Sequence, residues 1–396
     1  MDFKIQNQTS KTLDSLSRSG NLRTIPATNY GSRLYLEYKG RELLNLASNN
    51  YLGLSGSESL KNAAVLATRR YGTSSSGSRL ISGNHQIHDQ LEKLLAEFKN
   101  QQKALLTGSG YAANLCILGA LAGRNTTVFS DRLNHASIID AVALSGARHV
   151  RYRHIDMDHL SFVLEKYREH SSKILVTETV FSMDGDTAPL MEMVHLCKKH
   201  DVLMVVDEAH ATGILGQGRG LAHHLGLGNE IQVHMGTFSK ALGSYGGYIA
   251  SNSDIIDLII NRGRPFIYST ALPPAIAGAS LAALEIIMHK PDKGGALLKV
   301  AGEIRSLLQK LGFDTGQSST QIIPVILGKN SLVLDAREKL IAAGIFTGAI
   351  RPPTVPENTA RLRLSIRADM GEYEIDLVKK SFALLAEDLN RMLKKS

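Results

Sequence analysis

Three short segments of this 396-residue chain combine residue types that can do chemistry. The first, Gly108-Ser109-Gly110-Tyr111-Ala112-Ala113, reads G-x-G-x-x-A. After a strand and at the start of a helix, such a turn points backbone N–H groups at an anion and lets it approach closely. With Asp131 about 20 residues on, the string also fits a dinucleotide fingerprint. Another phosphate-bearing cofactor, or a purely structural turn, would use the same geometry. The second, Val205-Val206-Asp207-Glu208-Ala209-His210, brings an Asp to the carboxyl edge of a sheet, where ligands sit. Its Asp-Glu-Ala-His letters match a helicase box, but the required G-x-x-x-x-G-K-[ST] loop is missing upstream, which removes that reading. In the third, Thr237-Phe238-Ser239-Lys240, a Lys stands among small residues. A lysine so placed can lose its charge and attack a carbonyl, whereas an ordinary lysine keeps its head in water.

The order of the three carries more than any one of them. A phosphate turn, a strand-end Asp and a loop Lys, spaced across one sheet, are what pyridoxal 5′-phosphate (PLP) needs: a cradle, a carboxylate for the ring nitrogen and a Schiff-base amine. His135 follows a second strand and opens a helix at the same edge, where an aromatic stacking role is plausible; a helix-start His of no catalytic use is the rival. Near the C-terminus, Ile350-Arg351-Pro352-Pro353-Thr354-Val355-Pro356 is a proline-stiffened loop that fixes an Arg suited to bidentate capture of a carboxylate. His85 and His88 share a helical face without a third ligand and read as capping or surface residues. His195 and His200, five apart on a helix beside Cys197, diverge and read as structural, so no metal is expected.

Positioning these groups requires a sheet. Lys103–Thr107, Thr127–Ser130, His149–Arg153, Ile174–Glu178 and Leu203–Asp207 read as strands, with Ile249–Ser251 added. Helical stretches at 112–121, 136–144, 160–169 and 190–200 separate them. That alternation predicts an α/β fold whose mostly parallel sheet is wound with helices. Before it, residues 1–45 read as a short helix and a hairpin (34–38 with 41–46). After it, a helical run opens at Pro273-Pro274 and breaks near Lys290-Pro291. Helices at 297–311, 332–343 and 373–393, with strands at 322–327 and 361–366, then form a smaller α+β unit. The expected division is 1–45, 46–289 and 290–396.

Composition bounds the setting. Hydrophobic residues are 43% and charged residues 21%, ordinary for a globular protein and incompatible with global disorder. The net charge of +8 suits an anionic substrate without requiring nucleic acid, and short basic groups such as Lys394-Lys395 read as solvated surface. Two cysteines, Cys116 and Cys197, make no disulfide framework and point to a reducing compartment. The start, Met1 to Gln6, has no apolar signal core, and the apolar stretch 275–288 is too short to span a bilayer. A cytoplasmic enzyme without a membrane partner is expected.

With these residues in place, the chain resembles the α-oxoamine synthases, fold-type-I PLP enzymes with the aspartate aminotransferase-like fold. The resemblance runs over nearly the whole length. It includes 47–54 (Ala-Ser-Asn-Asn-Tyr-Leu-Gly-Leu), 131–137, 177–186 (Thr-Glu-Thr-Val-Phe-Ser-Met-Asp-Gly-Asp), 207–210, 237–240, 267–270 and 350–356. The loop 74–83 carries Arg79-Leu80, where family members alternate between Arg-Leu and His-Val. The resemblance implies a decarboxylating condensation of an amino acid with an acyl thioester. The 350–356 string favours the branch that joins L-alanine to pimeloyl-CoA or pimeloyl-acyl carrier protein; glycine-using branches are the alternative. It further implies that Lys240 condenses with the cofactor, Asp207 pairs with its ring nitrogen and His135 stacks on it. Ser182 and His210 would contact the phenolic oxygen, and Gly110, Tyr111 and Thr237 would surround the cofactor and its phosphate. Thr270 would reach the phosphate of a neighbouring subunit in a homodimer. Arg351 would hold the amino-acid carboxylate, with Arg23, Thr354, Asn49 and His135 against substrate. An NAD-dependent dehydrogenase built on Gly108–Ala113 and Asp131 is the distant rival; it leaves Lys240, Asp207 and Arg351 unused.

Overall fold

The computed structural model describes residues 4–29, 31 and 33–393. The N-terminal Met1–Phe3 and the Lys394-Lys395 pair lie outside them. The chain forms two compact units. One comprises Asn49–Ser182 and Asp186–Leu298; the other comprises Met1–Ser48, Met183–Gly185 and Lys299–Ser396.

Along the chain, the first helix is Lys4–Arg18, followed by strands β1 (Thr28–Asn29), β2 (Tyr35–Tyr38) and β3 (Arg41–Asn45). The hairpin expected at 34–46 is the antiparallel β2–β3 pair. It does not stand apart as a unit of its own. β3 also pairs in parallel with a short strand of the last hundred residues, described below, which places the N-terminal segment with the C-terminal unit.

The larger unit is built on seven strands: β4 (Lys103–Thr107), β5 (Thr126–Asp131), β6 (Arg148–Tyr152), β7 (Ser172–Glu178), β8 (Leu203–Asp207), β9 (Val233–Thr237) and β10 (Gly247–Ser251). Their order in the sheet is β4-β10-β9-β8-β7-β5-β6. Five of them, β6-β5-β7-β8-β9, run parallel. β10 runs against both its neighbours, so the sheet is mixed at that edge. β5, β8, β9 and β10 are almost wholly buried, as strands covered on both faces must be.

Helix Gly110–Leu121 is apolar nearly all round, which marks a buried helix. Its Ala113, Cys116, Ile117 and Leu118 pack with Val128, Val176, Val205, Met235 and Ile249 of the sheet. Cys116 and Cys197 are both buried free thiols, and burial pushes each up to about 12.

In the smaller unit, β11 (Ile322–Gly328), β13 (Gly348–Ile350) and β14 (Ala360–Ser365) form a three-stranded antiparallel sheet in the order β11-β14-β13. The short β12 (Ile345–Phe346) joins β3 instead. The crossing point between units falls inside helix Lys293–Lys310, later than the break expected at 289/290. Met183–Gly185 also belongs to this unit because Gly185, at φ +69°, lies so close to the Ile322 carbonyl that a Cβ would overlap it. Among the described residues, no helix is long and apolar enough to cross a membrane.

Candidate active site

Parallel strands deliver their last residues to one edge, and that edge of the larger unit gathers the chemistry. The turn after β4 starts its helix with Ser109 as N-cap, whose Oγ accepts from the Ala112 N–H at 3.1 Å. Gly110 sits against the end of β9. A Cβ on it would lie 3.2 Å from Met235 Cε and 3.6 Å from Thr237 Cβ. Thr237 is buried, its Oγ1 donating to the Gly246 carbonyl at 2.6 Å. Thr270 is exposed and lines a small pocket with Thr107 and Gly108. Tyr111 is exposed, and its hydroxyl bonds Asp140.

Asp207 ends β8 and is 5% exposed. Its Oδ2 accepts from Asn114 Nδ2 at 3.0 Å, and its Oδ1 from the Ala209 N–H at 2.9 Å. Directly across on β7 stands Glu178, paired in register with Asp207 and equally buried. Burial, reinforced by the Asp207 charge, pushes Glu178 up to about 8 against the opposing pull of Lys240. The Glu178 Oε1 is buried with no hydrogen-bond partner.

His135 caps helix Ala136–Ser145, with Nδ1 2.8 Å from Ser137 Oγ. Desolvation lowers its pKa and the nearby Lys240 charge lowers it further, against the pull of Asp207, so the ring is neutral at pH 7. Lys240 lies just past β9, half-buried, within electrostatic reach of both His135 and Glu178. Ser182 and His210 are buried. His210 Nδ1 lies 2.7 Å from the Tyr51 hydroxyl, which in turn meets Asn49 Oδ1 at 3.1 Å. Lys240, His135, Asp207, Gly110, Thr237, His210 and Asn49 thus all belong to the larger unit.

The remaining substrate candidates belong to the smaller unit. Arg23 Nη2 donates to Thr354 Oγ1 at 3.1 Å. Arg351 donates to the Gly20 carbonyl, and desolvation together with the charges of Arg23 and Arg337 lowers its pKa from the ordinary guanidinium value. Three cations therefore converge on one loop.

The chain was compared with known proteins. The family model for class I and II aminotransferases matches residues 41–381. A Bacillus cereus protein named "Putative 8-amino-7-oxononanoate synthase" is 44% identical over 367 residues, 91% of this chain and 93% of that one. The solved serine palmitoyltransferase of S. paucimobilis, bound to a PLP–myriocin aldimine, has a TM-score of 0.92 at 30% identity and covers 98% of this chain and 100% of its own. The 8-amino-7-oxononanoate synthase of Francisella tularensis has a TM-score of 0.77 at 26% identity, covering 89% of this chain and 99% of its own.

The chain belongs to the class I and II aminotransferase family. Within it, the chain is an α-oxoamine synthase: an acyl-transferring enzyme whose cofactor is PLP. The residues at this sheet edge fit that cofactor. Gly110 leaves the room beside Thr237 that a Cβ would fill, a buried carboxylate ends β8, and a half-buried amine follows β9.

Several residues have other uses than those first considered. Asp131, the acid of the dinucleotide reading, is committed elsewhere. It is 1% exposed and accepts from the N–H groups of Leu133 (2.8 Å) and Ile155 (2.9 Å) and from His154 (3.0 Å). Burial alone would lower His154, but carboxylates on both its nitrogens, Asp131 and Asp186, raise it to about 10. His88 completes a capping box with His85, as its helical spacing suggested. Glu178, Asn114, Tyr51 and Arg337 were missed. Asn114 alone left a usable signal, since a polar amide inside an all-apolar helix must find buried partners.

Proposed function

We propose that this α-oxoamine synthase condenses L-alanine with a pimeloyl thioester, carried on CoA or an acyl carrier protein. The products are 8-amino-7-oxononanoate, CO₂ and the free thiol, a step of biotin biosynthesis in the cytoplasm. The observation that carries the reading is the name borne by a relative 44% identical over nine-tenths of both chains.

When bound, PLP supplies an aldehyde that takes the amino group and a cationic ring that accepts the electron pair left at Cα. Asp207, anchored by Asn114 and Ala209, would keep the proton on the ring nitrogen. Gly110, Tyr111 and Thr237 would hold the phosphate, and Ser182 and His210 the phenolic oxygen. His135, its pKa lowered by burial, would lie against the ring face. Arg351 holds the alanine carboxylate, aided by Arg23, Thr354 and Asn49. Lys240 Nζ, as a neutral amine, would take the Cα proton. The Cα pair attacks the thioester carbonyl, the C–S bond breaks and the thiolate leaves to be protonated. The Cα–carboxylate bond then breaks, CO₂ departs and Cα is reprotonated. The working form would be a homodimer, with Thr270 placed to hold the cofactor phosphate of the partner.

A second reading has its own support, because serine palmitoyltransferase matches in structure at TM-score 0.92 against 0.77 for the pimeloyl enzyme. The two differ in amino acid and thioester, and glycine-using synthases differ likewise. Purified holoenzyme is assayed with alanine, glycine or serine, each crossed with acetyl-, succinyl-, pimeloyl- and palmitoyl-thioesters. Alanine with pimeloyl-thioester should give the fastest CO₂ release. A faster rate with any other pair replaces the substrate assignment, and activity surviving in Lys240→Ala removes the lysine from the mechanism.

A further inference from the structure

After Tyr111 in its first turn, the helix Gly110–Leu121 is made of Ala, Leu, Ile, Cys and Gly except for one amide, Asn114, which is 1% exposed. A buried carboxamide there costs stability unless its hydrogens are donated. Both are: Nδ2 donates to Asp207 Oδ2 at 3.0 Å and to Ser137 Oγ at 2.9 Å. The opposite amide orientation would turn a carbonyl towards a carboxylate, so the network fixes which end is nitrogen.

The second bond propagates. Ser137 Oγ, accepting from Asn114, has its own hydrogen left to give, and His135 Nδ1 lies 2.8 Å away. Nδ1 also accepts from the Ser137 N–H at 3.2 Å. A nitrogen that accepts twice carries no proton, so the imidazole hydrogen stands on Nε2. One amide on one helix thereby reaches a carboxylate at the end of β8 and the tautomer of a histidine at the start of the next helix.

We propose that Asn114 is a positioning residue that couples the two groups flanking the cofactor ring, aiming the Asp207 carboxylate and fixing His135 in its Nε2–H form through Ser137. The inference rests on the proposed assignment of Asp207 to the ring nitrogen and of His135 to the ring face. Tight aim matters because proton removal from Cα depends on how firmly Asp207 holds the positive charge at the ring nitrogen. Charged and titratable groups facing the network are Asp207 itself, Lys240 and Asp140, each acting on His135, and Glu178, which stands opposite Asp207 on β7 and feels both Asp207 and Lys240.

The test uses the full-length protein reloaded with PLP. Asn114→Leu keeps the volume and removes both donors. Ser137→Ala keeps the bond to Asp207 and removes the arm to His135. Three quantities are read: the pH midpoint of the visible cofactor band, Cα–H exchange of L-alanine in D₂O without thioester, and ¹⁵N shifts of His135. Asn114→Leu should move the midpoint by half a pH unit or more and slow exchange at least tenfold. Ser137→Ala should leave the midpoint within 0.2 units while moving the His135 Nδ1 signal. If Asn114→Leu does not fold, an unchanged His135 signal in Ser137→Ala overturns the proposal by itself. An Asn114→Leu enzyme with wild-type midpoint and exchange overturns it equally. A wild-type enzyme that does not exchange the alanine Cα–H contradicts the substrate assignment instead, and the midpoint comparison, made without substrate, still decides the role of Asn114.

Discussion

Asp207 and Glu208 are neighbours in sequence, both buried, and treated in opposite ways. Asp207 is held by two neutral donors, the Asn114 amide and the Ala209 N–H. Glu208 is held by an ammonium, with Lys99, 0% exposed, ion-paired to it and also donating to the Arg219 carbonyl. The Ala222 N–H binds the other Glu208 oxygen at 3.0 Å, and His234 Nδ1 lies 3.6 Å away. Burial would raise Glu208, but Lys99 and His234 hold it below the usual carboxylate range. Glu208, His223 and His234 have metal-ligand types within one cluster, yet the Lys99 ammonium already supplies its positive charge. Successive side chains of an extended segment point to opposite sides. One side thus carries an ion pair closed upon itself, and the other a carboxylate held by neutral donors.

Three measurements press on that contrast. The largest effect is expected for Asp207→Asn, where turnover should fall on the order of a thousandfold, about 4 kcal/mol in the barrier. Melting temperature should stay within a few degrees, because only neutral donors are left behind. A variant that melts far lower with its remaining activity intact would make Asp207 structural, like its neighbour.

Next comes Glu208→Gln, which strands a buried ammonium. Urea titration should show a loss of about 3–5 kcal/mol, with turnover per folded molecule near wild type. Adding Lys99→Met should recover most of that loss, since a buried pair replaced by apolar groups is often neutral. Failure of the second change to rescue would mean that the cluster stabilises through something other than paired charge.

The smallest effect concerns Glu178. Its folded pKa of about 8 lies above the ordinary value of 4.5. The folded chain therefore keeps a proton that the unfolded chain has released, and stability from this group is full below pH 4.5 and lost as pH rises through 8. In cofactor-free protein, Glu178→Gln should flatten the fall in urea midpoint across that window. Asp207→Asn should flatten it partly, by removing the neighbouring charge. An unchanged slope in both variants would show that the proton leaves Glu178 well below neutrality.

Much of the sheet was legible because apolar strands covered on both faces leave continuous runs, as at 103–107 and 203–207. β9 was not read as a strand, since His234 and Gly236 interrupt its run, although both are accommodated in the core. A Cβ at Gly236 would strike the Tyr248 ring, a packing reason invisible in one dimension. The reversed direction of β10 was equally hidden, because its five residues look the same run either way. At the edge, the Gly108–Ala113 turn, Asp207 and Lys240 stood out by type and spacing, and the structure places them after β4, at the end of β8 and just past β9. Their supports did not stand out: Tyr51 meets His210 across 159 positions, and Asn114 meets Asp207 across 93. Pairings set by tertiary closure leave no local pattern.

The parallel match of Leu44 with Ile345 has a consequence for how the molecule is made. A ribosome releases β3 early and β12 only after nearly everything else has emerged. The larger unit has all its strands in hand before that moment, whereas the hairpin must wait with an edge unsatisfied. Distant pairings form slowly, so the smaller unit should be the last part of a nascent chain to resist protease.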